Sequence, residues 1–327
     1  NHPEQALSLL DEAVTLNPHL TNKIDKLRAQ SQKNLLEQIA NETMAEVDKA
    51  LSHQDYYLAL SLIDKTLKGL DPEIAAEQIS VLTTKRNSAI SNIDKITGAA
   101  IAYGDVGNCK LFINEQVQIG RKVEDNSAGF AIQYKRVSRG GKQNLLSRKG
   151  NKFYIEDQGS ANGSCYDNLP LVPHQQVKLT NGKVIALGGV NGQPGICRIN
   201  THLAKGSGSL ILTLNQDATQ FIDDTGIGMA WPTLDADLDT RWIMLGESLD
   251  VGINEDNNLD IGAISAQSVA AQLVYLQGYY IKPKAGSEQT ILVNGHPVYG
   301  LVPIGACATV TIGTNSFQLR TTNSEKS

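Results

Sequence analysis

Arg121, Ser138, Arg139, Ser160, Asn162 and Gly163 form the set of residues that could do specific chemistry here. An arginine guanidinium is a planar fork of donors that matches two phosphate oxygens at once, and a serine hydroxyl adds a neutral donor. An asparagine amide both donates and accepts, which suits the backbone of a bound peptide. The six residues stand in three short stretches: Gly120-Arg121, Val137-Ser138-Arg139, and Gly159-Ser160-Ala161-Asn162-Gly163-Ser164. Residue types of this kind suit an anionic group and a peptide backbone beside it. Charge agrees, because Gly120 to Lys152 holds nine Lys or Arg against Glu124 and Asp125, inside a chain of net charge −5. A focused positive patch speeds encounter with an anionic partner.

Other chemistries find less support. Cys109, Cys165, Cys197 and Cys307 are widely spaced with no C-x-x-C pair, which argues against a zinc site and against a disulfide framework. The six histidines are equally scattered. No metal site and no cofactor are expected. Phe221-Ile-Asp-Asp-Thr-Gly226 carries the Asp-Thr-Gly of an aspartic protease, but such enzymes need two carboxylates sharing a proton and there is one copy. No Walker A loop or G-x-S-x-G elbow is present. The aromatics near the basic stretch (Phe130, Tyr134, Phe153, Tyr154) fall at strand spacing, which favours core packing over stacking on nucleic acid. No apolar run approaches the roughly 20 residues of a membrane span. The expectation is a non-enzymatic, cytoplasmic binding protein, with no nucleic acid and no membrane as partner of this fragment. The start Asn1-His2-Pro3 reads as that of a fragment or processed product.

The elements that must position the candidate residues divide the chain. Residues 1–97 read as helical: Ala6, Leu9, Leu10, Ala13 and Val14 fall on one face, and Asn17-Pro18 ends that helix. A long second pattern runs to Ser52-His53-Gln54, a third helix spans about 55–69, and Asp71-Pro72 opens a fourth as N-cap and first helical residue. From Lys110 onward, short β-branched runs alternate with Gly, Asn and Asp turns, the pattern of antiparallel sandwiches. The expected organisation is a helical region at 1–97, a β-sandwich at 98–214, an acidic linker at 215–240, a second β-sandwich at 241–321 and a tail at 322–327. The fold class is multidomain, α followed by all-β.

Two resemblances sharpen this outline. Ala6–Pro18 echoes Ala59–Pro72, and both resemble the second helix of a tetratricopeptide repeat, with an early Ala-Leu and a closing Asx-Pro. Such stacked helix pairs make concave protein-binding surfaces. In the first β block the stretches quoted above, followed by Gly182-Lys-Val-Ile-Ala-Leu-Gly188, resemble the forkhead-associated (FHA) domain, whose pattern is G-R, S-R-x-H, D-x-G-S-x-N-G-T and a closing strand ending in Gly. The resemblance implies an eleven-stranded β-sandwich that binds phosphothreonine peptides through loops at one end. Arg121 and Ser138 would contact the phosphate, Arg139 would support the site or reach the peptide, and Asn162 would bond the ligand backbone, with Ser160 and Gly163 in the same loop. It also implies a phosphorylated partner, such as a Ser/Thr kinase or its substrate.

Departures from the family pattern are specific. The family's His, which braces the binding loops, falls on Gln143, with Gly140-Gly141 reading as an insertion. Ser164 stands for the usual Thr. The second β block resembles the same fold with its site erased: Ile253 occupies the Arg place, Ile264–Ser268 keeps only the Ser of S-R-x-H, and Leu245 to Gly313 carries six acids against Lys282 and Lys284. The function expected is an adaptor that holds a phosphothreonine-containing partner through the first sandwich and another protein through the helices. The alternative is an assembly scaffold whose sandwiches make phosphate-independent contacts.

Overall fold

The computed structural model describes residues 3–16, 21–121, 129–132, 136–138, 143–189, 195, 197–204, 207–215 and 241–322. Two compact units emerge: residues 1–94 with 293–302, and residues 95–292 with 303–327.

The first unit carries helices α1 (Pro3–Leu16), α2 (Thr21–Ser52), α3 (Tyr56–Gly69) and α4 (Ala76–Asn92). Proline begins α1, where its missing N–H costs nothing. Asp55 caps α3 by accepting from the Leu58 N–H at 3.0 Å. The fourth helix starts later than Asp71-Pro72 suggests. The Asp71 carboxylate accepts from Glu73 N–H at 2.9 Å, and its carbonyl takes the Ala75 N–H, so residues 71–75 make a turn before α4 begins. Asp so readily bonds the backbone two residues on that the turn outcompetes the helix.

Val47, Ala59, Ile63 and Leu82 lie at the centre of an apolar cluster built from α2, α3 and α4. The sequence echo between α1 and α3 extends to their ion pairs. Asp11 on α1 meets Arg28 on α2 at 2.5 Å, and Asp64 on α3 meets Arg86 on α4 at 2.5 Å. The second pair is far better shielded, with the Asp64 side chain 7% exposed against 69% for Asp11. Arg86 also donates to the Leu301 carbonyl at 2.7 Å.

The second unit is all-β. Its strands begin with β1 (Ala100–Gly104), β2 (Cys109–Phe112), β3 (Gln116–Gly120), β4 (Gly129–Ala131), β5 (Asn144–Lys149), β6 (Lys152–Asp157), β7 (Ser164–Tyr166), β8 (Leu169–Pro170), β9 (Val177–Lys178), β10 (Val184–Leu187), β11 (Cys197–Leu203) and β12 (Leu210–Leu214). They continue with β13 (Arg241–Met244), β14 (Ser248–Asn254), β15 (Leu259–Ile261), β16 (Ala266–Tyr275), β17 (Tyr279–Pro283), β18 (Ile291–Val293), β20 (Val302–Pro303), β21 (Thr309–Ile312) and β22 (Asn315–Thr321), while the short β19 (His296–Pro297) lies in the 293–302 segment of the first unit. One long sheet runs in the order β8-β7-β10-β11-β12-β13-β2-β1-β22-β21. Two five-stranded sheets accompany it: β4-β3-β5-β6-β9 and β15-β14-β16-β17-β20.

Chain order and spatial order part company in the middle of the long sheet. Strand β13 pairs antiparallel with β12 and parallel with β2, while β1 pairs with β22, the last strand of the chain. Side chains alternate across a strand, and here both faces are covered. Leu210, Leu212, Trp242, Met244 and Phe112 enter the first sandwich's core, where Trp242 stacks on Phe130 at 4.2 Å. Ile211, Ile243 and Leu111 point the other way and are fully buried too. On that face Ile211 and Leu249 crowd against Gly262. Arg241 closes the junction by donating to Asp260, buried in the second sandwich, at 2.7 Å and to the Ile261 carbonyl at 3.1 Å.

Two outcomes follow. Arg86→Ala leaves the shielded Asp64 carboxylate unpaired and is expected to destabilise the helical unit by about 2–3 kcal/mol, whereas Arg28→Ala at the exposed pair changes stability by less than about 1 kcal/mol; urea titrations followed by circular dichroism at the helical band compare the two. Trp242→Ala empties a large aromatic from the first core and is expected to cost about 3–4 kcal/mol, measurable as lost hydrogen-exchange protection in β3, β5 and β6.

Candidate functional site

The pairings Ile119 with Asn144 and Asn144 with Asp157 bring the end of β3, the start of β5 and the end of β6 to one edge of the first sandwich. The loops at that edge carry the candidate residues. Arg121 follows β3, Ser138 precedes β5, and residues 159–164 join β6 to β7. Ala161, Asn162 and Gly163 are exposed, Arg121, Ser138 and Ser160 half-buried.

Hydrogen bonds tie these loops to one another. The Arg121 N–H donates to the Ser138 carbonyl at 2.8 Å. The Ser138 hydroxyl oxygen accepts from the Ala161 N–H at 3.2 Å. The Asn162 amide donates to the Arg136 carbonyl at 2.7 Å, leaving its carbonyl oxygen directed by that anchor. The structure thus brings Arg121, Ser138 and Asn162 to one rim. Arg139 lies outside the described residues, as do the Asp-Thr-Gly of residues 224–226 and Trp231.

Beneath the rim sits a buried polar cluster. Asp157 Oδ1 accepts from the Gly159 N–H at 2.9 Å and the Ser160 N–H at 2.7 Å. Its Oδ2 accepts from the hydroxyls of Ser160 at 2.7 Å and Ser164 at 2.6 Å. One carboxylate therefore organises the whole β6–β7 turn, and the Ser160 hydroxyl is committed to it. Gly159 and Gly163 have φ of +77° and +68°, a left-handed conformation that glycine adopts without the clash of a Cβ.

Gln143 does what a bracing histidine was expected to do. Its side chain is fully buried and spans both loops. Oε1 accepts from the Ser138 N–H at 2.8 Å, while Nε2 donates to the Gly163 carbonyl at 3.2 Å and to Ser164 Oγ at 2.8 Å. The loss of His therefore does not leave the loops unbraced. An amide offers an acceptor and two donors on one planar group, which covers the three partners.

The basic stretch is less focused than a linear count suggests. Arg148, Lys149 and Lys152 sit at the far end of the β5–β6 hairpin, where Lys149 pairs with Lys152. At about 3.3 Å per residue that end is roughly 17 Å from Gln143. Arg148 instead donates to the Leu245 carbonyl at 2.8 Å, next to β13. Among the described residues, Arg121 and Arg136 remain as cations on the loop segments at the rim. Phe130 and Phe153 are buried in the core. The thiols offer no chemistry at this edge: Cys109, Cys165 and Cys197 are buried, and burial pushes the Cys197 thiol up to about 12. No metal-binding cluster of His, Cys, Asp or Glu occurs among the described residues. No helix there is long and apolar enough to cross a membrane.

The model of the FHA domain family matches residues 117–188, which span β3 to Gly188 and hold every loop just described. This stretch is an FHA domain. Among solved structures, the chain is similar to the FHA domain of a hypothetical protein from Arabidopsis thaliana, at 22% identity over 29% of this chain and 81% of that one, with a TM-score of 0.22. It is also similar to an FHA domain solved in an analysis of phosphothreonine-dependent FHA domain interactions (26% identity, 28% and 88% covered, TM-score 0.21). A third is the FhaA FHA domain complexed with the intracellular domain of Rv3910 (25% identity, 28% and 92% covered, TM-score 0.21). No match was found among curated protein sequences.

Sequence reading missed one contributor to this loop edge of the FHA domain. Arg136 receives the Asn162 amide on its carbonyl, and its Cβ packs against Gly188. The family's closing glycine has a concrete cause here. A Cβ at Gly188 would stand 2.8 Å from Arg136 Cβ, at a φ of +74°. Gly188→Ala is accordingly expected to cost about 1–3 kcal/mol through strain and to displace the Arg136 segment, detected as shifted amide resonances at residues 136–138 with little change around β9.

Proposed function

We propose that the chain is a non-enzymatic adaptor whose FHA domain, completed by strand β13, holds a phosphothreonine-containing segment of a partner protein. The observation that carries this reading is the convergence of Arg121, Ser138 and Asn162 on one braced rim. The Arg121 guanidinium and Ser138 hydroxyl are assigned to the phosphate, and the Asn162 carbonyl oxygen to a backbone N–H of the ligand. Arg139 is assigned a supporting role from its place beside Ser138. Ser160 and Gly163 serve by shaping the turn through Asp157 and a left-handed residue. The FhaA FHA domain, a similar protein, was solved with the intracellular domain of another protein, which fits a role in protein assembly.

The second sandwich is read as a degenerate relative kept for packing. Ile253 offers no charge, and Ser265, the residue left from the binding motif, donates its hydroxyl to the buried Asp260 at 3.0 Å. The helices are read as tetratricopeptide-like and assigned to a second protein contact, supported by the repeated Asp–Arg pairing between successive helices. A cytoplasmic setting, with a Ser/Thr kinase or its substrate as partner, accords with the undisulfided cysteines.

Calorimetric titration of the whole chain with a degenerate phosphothreonine peptide pool tests this. Binding is expected with the phosphorylated pool and absent with the unphosphorylated one. Arg121→Ala is expected to weaken it at least about tenfold, the scale of a lost charge-assisted hydrogen bond. Equal affinity for both pools would sink the phosphopeptide reading and leave phosphate-independent assembly contacts in its place.

A further inference from the structure

We infer that Gln143 is the positioning residue of the binding edge, and that it couples the Ser138 loop to the 159–164 loop through a neutral amide whose grip does not depend on pH. This rests on the reading that these loops hold a phosphorylated peptide. Three hydrogen bonds carry the inference, one to the loop before β5 and two to the loop after β6. Gln143 touches no ligand position itself. It fixes the Ser138 backbone, whose carbonyl in turn receives the Arg121 N–H, so the two phosphate-facing residues inherit their geometry from it.

The direction of the bonds matters. A neutral imidazole at this place has one acceptor and one donor, so it could accept the Ser138 N–H and reach one partner beyond. A protonated imidazole has two donors and no acceptor, and would meet the Ser138 N–H donor against donor. The amide has no such second state. The ionisable groups on the described elements packed here are Asp157, bonded through Ser164; Arg121 and Arg136 on the preceding segments; and Glu156, with His174 at 4.0 Å from it, beyond Asp157. None of them bonds the Gln143 amide, so the brace has no ionisable group as a direct partner.

The experiment compares the whole chain with its Gln143→His and Gln143→Leu variants, using a phosphothreonine peptide pool as probe between pH 5.5 and 8, values chosen to bracket an ordinary histidine at about 6.5. Hydrogen exchange of segments 136–146 and 158–166, without peptide and corrected for intrinsic rates, is the second readout. Gln143→Leu is expected to raise exchange in both segments together and to weaken binding about tenfold or more at every pH. Gln143→His is expected to bind near the parent level at pH 8, and its affinity relative to the parent to fall about tenfold as the ring protonates. Taking that ratio cancels the phosphate's own ionisation near about pH 6. A ratio that stays flat, or exchange in Gln143→Leu confined to one segment, overturns the inference. If the parent chain binds no phosphopeptide, the proposed function has failed, and the exchange coupling alone decides whether Gln143 positions the two loops.

Discussion

The second unit depends on three adjacent strands that are buried on both faces. A strand in an ordinary antiparallel sandwich turns one face to its core and the other to water. In β2, β12 and β13 that alternation is gone, because Phe112, Leu212 and Met244 fill one core while Leu111, Ile211 and Ile243 fill the layer behind it. The two sandwiches are thus halves of one packing problem. The Arg241–Asp260 ion pair then places a charge bond at the seam where apolar packing gives way to a loop. A carboxylate so deeply buried is tolerable when its remaining lone pairs are filled, and Ser265 fills them with a hydroxyl and a backbone N–H.

The loop edge of the FHA domain inverts this logic. Its rigidity comes from polar groups satisfying one another out of water: Asp157, Ser164 and Gln143 are buried and each has a partner in the others or in the loop backbones. In a low-dielectric interior such a chain of bonds is worth more than its members taken singly, and losing one exposes the desolvation cost of the rest. The exposed residues above, including Asn162, are held by backbone bonds that the cluster orients. Precision at the surface is therefore set one layer down, by side chains buried beneath it.

Much of this was legible from residue order. The change from helical to two-residue periodicity near Gly98, the stop at Asn17-Pro18 and the Asp55 start all act locally, so a single sequence displays them. The G-R, S-R and G-S-x-N-G stretches could be joined because each marks a loop at the same end of successive strands. What escaped reading was non-local. Nothing in Arg241-Trp242-Ile243-Met244 tells that it leaves the second block to sit between β12 and β2, since a strand buried on both faces looks like any apolar run. Gln143 was read as a lost histidine because sequence gives the residue type and not its three partners. The clustered Lys and Arg misled for a related reason: a hairpin folds the charge at Arg148 to Lys152 away from the loops that its sequence neighbours approach.

The pairing of β1 with β22 also governs the order in which the molecule can be made. A ribosome delivers residues 100–104 more than two hundred positions before their partners at 317–321. Likewise β2 must wait for β13 across the whole FHA domain and the segment that follows it. During translation the four helices are delivered together within residues 3–92, and only the 293–302 segment of their unit arrives late. The β unit is not delivered so compactly. Its nascent strands carry open edges until residues 317–321 emerge, and long-range closures of this kind are slow and prone to pairing with the wrong chain. Expression yield of this protein should therefore depend more on chaperone supply and on an intact β22 than on the intrinsic strength of either sandwich core.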